Sequence, residues 1–283
     1  MHGHHDDEVH EHDRGLSHDL PLLARRRMIR LMAGASLVPL LGCSAKDDTA
    51  TGGSSPSSPS SDSSTSSSAT SSTECSTIPN ETAGPYPGDG SNGVNVLKES
   101  GVVRSDITSS FGDSAGGTAE GVPLTVTLTV VDAASGCGTP KQGAAVYLWH
   151  CDRDGNYSLY SEGVTDENYL RGVQETDDTG RVTFQSIFPA CYPGRWPHIH
   201  FEVYGSLADA TAATAITNTS QLALPKDICD TVYATDGYSQ SVRNLGQLSL
   251  ETDNIFSDGY DQQLATVTGS VERGYTATLT VPV

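Results

Sequence analysis

The strongest constraint on this chain is a two-residue repeat. L-T-V-T-L-T-V from Leu124 sets aliphatic side chains at alternate positions with threonines between them. Successive side chains of a strand point to opposite faces, so this pattern describes a strand with one face in a core and one in solvent. A-V-Y-L-W-H from Ala145, R-V-T-F-Q-S-I from Arg181, H-I-H-F-E-V from His198 and the closing Y-T-A-T-L-T-V-P-V read the same way. Clusters of Gly, Asp and Pro separate them, as strand boundaries should. No long stretch carries an apolar stripe of period 3.6. The expected fold class is all-β: a β-sandwich with long functional loops. No internal repeat is visible.

The strand patterns lie in residues 76–283, enough chain for one substantial core. Residues 1–43 read as an export signal. A leader rich in His, Asp and Glu precedes A-R-R-R-M-I-R, a twin-arginine-like cluster, and then the short apolar run L-M-A-G-A-S-L-V-P-L-L-G-C. That run is too short and too interrupted to span a membrane. Its L-L-G-C-S ending resembles a bacterial lipoprotein cleavage box, which makes Cys43 a candidate for acylation and membrane anchoring. Residues 44–75 are almost wholly small and polar. They cannot bury enough apolar surface to offset ordering entropy, and a coil of about 30 such residues spans roughly 30 Å. The formal charge of −19 excludes nucleic acid or an anionic membrane surface as the main partner.

Chemistry concentrates between Trp149 and Phe201. Beyond the leader the histidines are His150, His198 and His200. The last two sit at i and i+2 of a strand pattern, so they share a face while Ile199 and Phe201 turn the other way. The same stretch holds Tyr157 and Tyr192. A phenol titrates near pH 10 in isolation, so it ligates at neutral pH only where a strong cation holds it ionised. Two phenolates and two imidazoles suit Fe(III) better than Zn(II), whose usual ligands are Cys, His and carboxylate. Spacing alone does not pick these two from eleven tyrosines.

An ordered set of motifs does. T-A-G-P-Y at 82–86, V-R-S-D-I at 103–107, G-V-P-L at 121–124 and A-V-Y-L-W-H-C-D-R-D-G-N-Y-S from Ala145 come first. N-Y-L-R-G-V-Q-E-T-D-D-T-G at 168–180 and I-F-P-A-C-Y-P-G-R-W-P-H-I-H-F from Ile187 follow. From about Cys75 onward the chain resembles the intradiol ring-cleavage dioxygenases, in their exported single-domain branch. R-W-P-H-I-H stands where that family usually has R-P-A-H-x-H. The resemblance implies a β-sandwich and one non-haem Fe(III) held by Tyr157, Tyr192, His198 and His200. It makes Tyr192 the ligand that leaves the iron and accepts a proton, and sets Arg195 over the site to stabilise negative charge on the substrate. Tyr86 would line the substrate pocket. His150 would be a scaffold residue, and Arg171 with Gly172 would shape a loop. The implied reaction uses O2 to open a small aromatic diol between its two hydroxylated carbons, giving a cis,cis-muconate-type diacid, with no organic cofactor.

Two other readings stay open at this stage. One is a non-catalytic exported β-sandwich lipoprotein that binds a ligand or partner. The other is a zinc hydrolase built on the histidine pair, which lacks a carboxylate in a persuasive general-base position. Oligomeric state is open, a homodimer included. Setting Cys43 aside, five cysteines remain: Cys75, Cys137, Cys151, Cys191 and Cys229. Structural bridges are expected in an oxidising compartment, the odd count leaves one unpaired, and a bridge at Cys191 would pin the loop of Tyr192.

Overall fold

In a computed structural model of the protein, residues 75–283 are described. The expected export signal, the acylated Cys43 and all of the expected linker except Cys75 lie outside the described residues.

The described chain is an all-β sandwich of two four-stranded sheets. In the first sheet β1 (Pro123–Val131) pairs antiparallel with β4 (Arg181–Ile187) and parallel with β8 (Gly274–Pro282), and β8 pairs antiparallel with β7 (Thr266–Ser270). In the second, β2 (Ala145–Trp149) lies between β3 (Arg171–Glu175) and β5 (His198–Tyr204), and β6 (Ile216–Ala223) closes the edge beyond β5. All pairings of this second sheet are antiparallel.

The core between the sheets follows the alternation. Leu124, Val126, Leu128 and Val130 of β1 are buried with Ile199, Phe201 and Val203 of β5. The threonines between the β1 aliphatics stay partly open on the other side of the first sheet, where the Oγ1 atoms of Thr127 and Thr183 pair at 3.2 Å across β1 and β4.

The second sheet departs from the half-buried expectation. Every residue of β2 and of β5 is buried. The reason lies outside the strands: the segment around Tyr86, Val96 and Leu97 and the segment carrying Tyr157 fold over its outer face as a second cluster with Tyr147, Trp149 and Tyr204. A polar group on that face is therefore shut away from water.

Among the described residues there are also short helices that the pattern missed: α1 (Leu207–Ala212), α2 (Lys226–Tyr233) and α3 (Ser239–Leu245). Each spans about two turns, too little for a 3.6-residue period to stand out. α2 is nonetheless amphipathic, burying Cys229, Val232 and Tyr233.

The cysteine pairing differs from the expectation. Cys75 and Cys137 form a disulfide, whereas Cys151, Cys191 and Cys229 are free and buried. Cys191 is not bridged, so no disulfide pins the loop of Tyr192. Helix α3 holds that loop instead. The Cys191 amide donates to Ser241 Oγ at 2.9 Å, and Asn244 Nδ2 donates to the Cys191 carbonyl at 2.8 Å.

Candidate metal centre

His198 and His200 open β5 and face the covered side of the second sheet. His198 Nδ1 lies 2.5 Å from the Trp196 carbonyl. A carbonyl only accepts, so Nδ1 carries the proton and Nε2 presents a lone pair. That lone pair is 3.1 Å from His200 Nε2 and 3.2 Å from Tyr192 Oη. The Tyr157 ring closes the group, its centroid 6.0 Å from that of Tyr192 and 6.2 Å from that of His200. All four expected ligands thus come together.

Two loops bring the tyrosines in. In W-H-C-D-R-D-G-N-Y, Asp152 Oδ1 accepts from the amides of Asp154 (2.9 Å) and Asn156 (2.8 Å), curling the chain into a tight turn. Gly155 sits there at φ +91°, and a Cβ on it would stand 3.3 Å from Tyr192 Cβ, so a side chain at this position would wedge the two ligand loops apart. The Ala190 amide donates to the Asp152 carbonyl at 3.1 Å and ties the loops together.

Burial sets the charges. It drives both imidazoles well below the ordinary histidine range; the Arg195 guanidinium adds to this at His198, and His198 adds to it at His200. Both rings are neutral at neutral pH, the form that ligates a metal. Burial likewise pushes the Tyr157 phenol well above its ordinary value, with Tyr192 adding to the shift. Tyr157 Oη is buried without a well-formed hydrogen bond, and the Tyr192 hydroxyl is the polar group that faces it. A buried phenol so poorly paired is costly, and a hard cation among these groups would relieve it by taking the place of the phenol proton. The donor set therefore fits a ferric ion. Among the described residues no group of three His, Cys, Asp or Glu side chains is disposed to hold a metal. The histidine pair reaches four donors only through the phenols, a set foreign to the usual zinc sites.

Arg195 is 5 % exposed and fixed on two sides. Nε reaches Asp253 Oδ2 at 3.1 Å and Nη2 donates to Gln221 Oε1 at 2.7 Å. Its charge bears on His198, His200 and Tyr157. Gln221 lies opposite His200 in the β5–β6 register, and its Nε2 donates to the Thr82 carbonyl at 2.9 Å. This bond draws T-A-G-P-Y over the site, where a Cβ on Gly84 would be 3.5 Å from His200 Cε1. Tyr86 then packs beside Tyr157 and Tyr160, with centroids 5.0 and 5.2 Å away.

Sequence reasoning missed Asp253 and Gln221. Asp253 stands 58 residues from Arg195 in a turn with no motif, and Gln221 looks like any polar residue of an alternating strand. A glutamine buried to 0 % exposure is a signal that only burial reveals. Both nitrogens of His150 are engaged away from the cluster, Nδ1 with the Cys151 carbonyl at 2.8 Å and Nε2 with Ser186 Oγ at 2.7 Å. Arg171 is buried behind the site, donating to the carbonyls of Pro87 and Ser158, both at 2.9 Å, so it joins two of the covering segments. Gly172 permits close packing: a Cβ there would stand 2.5 Å from Ile107 Cγ2.

Fold and cluster together define a class, a two-sheet β-sandwich with a covered Tyr/Tyr/His/His centre suited to a hard trivalent cation. The family model described as Dioxygenase matches residues 103–254, just over half of the chain, and the chain belongs to the intradiol ring-cleavage dioxygenase family. It is 42% identical over 55 residues to chlorocatechol 1,2-dioxygenase of Rhodococcus opacus, covering 19% of this chain and 21% of that one. It is 38% identical over 56 residues to catechol 1,2-dioxygenase of Candida albicans, covering 20% and 18%. The chain thus spans about a fifth of the length of the curated relatives it matches. A solved intradiol ring-cleavage dioxygenase from Tetranychus urticae is 26% identical, with a TM-score of 0.56, and the match covers 74% of this chain and 94% of that one.

Proposed function

We propose that this chain is a non-haem Fe(III) dioxygenase that opens a catechol-type ring between its two hydroxylated carbons, placing both atoms of O2 in a cis,cis-muconate-type diacid. The observation that carries the reading is the buried, poorly paired Tyr157 phenol gathered with two neutral imidazoles and a second phenol, that of Tyr192. Relatives named chlorocatechol, catechol and hydroxyquinol 1,2-dioxygenase support the substrate class. Tyr157, Tyr192, His198 and His200 would hold the metal. Bound there, ferric iron would act as a Lewis acid that holds and polarises the diol for attack by oxygen.

The side chains divide the remaining work by burial. Tyr157 is 1 % exposed and hemmed in by Tyr86, whereas Tyr192 is half-buried. On this reading Tyr192 is the phenol with room to move, and as a phenolate its Oη would take a proton from the entering diol. Arg195, held by Asp253 and Gln221, supplies a fixed positive charge for the negative charge that develops on the deprotonated ring. Tyr86 and Tyr160 offer an aromatic wall next to Tyr157 for the substrate ring.

Export is proposed on separate grounds: the A-R-R-R-M-I-R cluster with its apolar run, and the Cys75–Cys137 disulfide, which belongs to an oxidising compartment. Anchoring through Cys43 is part of this proposal, and release of the protein from membranes by Cys43→Ala checks it. The activity test is oxygen uptake by iron-loaded protein with catechol, hydroxyquinol and protocatechuate, with the products identified. Stoichiometric uptake with ring opening between the hydroxylated carbons is expected. No uptake, or opening beside the diol, would refute the assignment.

A further inference from the structure

The two histidines are not held alike. A metal-bound imidazole ordinarily gives its second nitrogen to a carbonyl or carboxylate, which fixes the ring plane. His198 obeys, with Nδ1 on the Trp196 carbonyl. His200 does not: its Nδ1 is buried and has no hydrogen-bond partner. What it has instead is a face. Trp149 lies directly opposite in the β2–β5 register, and its ring stacks on that of His200 at 4.9 Å with an interplanar angle of 6°. The Trp149 indole N–H is itself without a partner, so the residue is not there to make a polar bond. Its other neighbour is Tyr147, stacked at 4.9 Å and 20°. The Tyr147 hydroxyl donates to the Pro87 carbonyl at 2.7 Å and accepts from Arg171 Nη1 at 3.1 Å, so the stack rests on a fixed base.

We propose that Trp149 is the positioning residue of His200: its indole face sets the imidazole plane in place of a hydrogen bond and favours the cation-bound form of that ring. The physical reason is the quadrupole of the indole. An imidazole on a trivalent ion carries partial positive charge, and positive charge over an indole face is stabilised where a neutral ring gains less. The effect belongs to the loaded site. This proposal rests on the reading of the cluster as an iron centre.

The test is iron loss from the loaded full-length protein into excess chelator, followed with the visible tyrosinate-to-iron absorption. Trp149→Met removes the face and keeps much of the bulk; Trp149→Phe keeps a smaller face. Both shrink the buried side chain, so both should lower the melting temperature of the metal-free protein. Iron loss separates them: about tenfold faster for Trp149→Met, the lower end of what loss of a supporting contact costs a metal site, and within about threefold of wild type for Trp149→Phe. The absorption band should move in the Met variant and stay in place in the Phe variant. If Trp149→Met does not fold, a ring-fluorinated tryptophan at position 149 takes its part. It withdraws density from the face at nearly constant volume, and faster iron loss is again expected. Wild-type iron retention and an unmoved band without the face, or equal losses for Met and Phe, overturn the proposal while leaving the iron centre intact. A wild-type protein with bound iron and no such band overturns both readings.

Discussion

At the residue scale the centre is a set of groups kept out of their solution states. Tyr157 is the clearest case, because its hydroxyl is buried with no well-formed hydrogen bond and only the Tyr192 hydroxyl facing it. Deleting a buried hydroxyl that lacks a good partner relieves a desolvation cost on the order of 1 kcal/mol. Tyr157→Phe should therefore leave the metal-free protein as stable as wild type or slightly more so in a thermal melt, while iron binding weakens and the tyrosinate absorption shrinks. That opposition of signs is the mark of a residue kept for a ligand. Asp253 is the contrary case. It is fully buried and accepts from Arg195 Nε at 3.1 Å and from the amides of Trp196 and Ile255 at 2.7 and 2.8 Å. Asp253→Asn would leave the Arg195 charge buried without its counter-ion, at a cost of about 3–5 kcal/mol in chemical denaturation. Activity should fall further than stability alone accounts for, since Arg195 would lose its fixed orientation.

At the scale of elements, β5 owes its character to being covered on both faces. Histidines on an open sheet face would titrate near pH 6.5; under the covering loops they stay neutral. His150, at the end of β2, is pushed down to about 4 by burial, and His198 and His200 move in the same direction. A folded pKa below the unfolded one means that the unfolded chain binds the extra proton. The stabilisation is complete above the ordinary histidine value and is lost as pH falls toward the folded value, at up to about 1.4 kcal/mol per pH unit for each group. Glu202 works the other way. Burial raises it to about 7, so its contribution is complete below the ordinary glutamate value and is lost as pH rises through 7. Burial raises Asp152 in the same sense as Glu202; three imidazoles outweigh these two carboxyls, and the denaturation midpoint of metal-free protein should fall on acidification from pH 6.5 to 4. His150→Gln should make that slope shallower.

For the whole molecule, the disulfide closes a long loop, its two cysteines, Cys75 and Cys137, standing 62 positions apart in sequence. In the chain-entropy model such a closure stabilises by about 4 kcal/mol, with 2–5 kcal/mol the usual range on removal. Cys75→Ser should lower the denaturation midpoint accordingly and leave the iron absorption unchanged, because the bond involves none of the four proposed ligands. Much of this architecture was legible beforehand. Alternation in L-T-V-T-L-T-V marks a sandwich strand because the pleat of a strand is a property of a few consecutive residues. For the same reason His198 and His200 had to share a face. Tyr157 and Tyr192 were legible only through resemblance to a family, since nothing local distinguishes them from nine other tyrosines. Tertiary structure alone decided the burial of β2 and β5 on both sides, the pairing of Cys75 rather than Cys191, the bonds from Asp253 and Gln221 to Arg195, and the stack of Trp149 on His200. Each of these joins segments far apart in the chain, and their meeting is fixed by how sheets and loops pack, which no local period encodes.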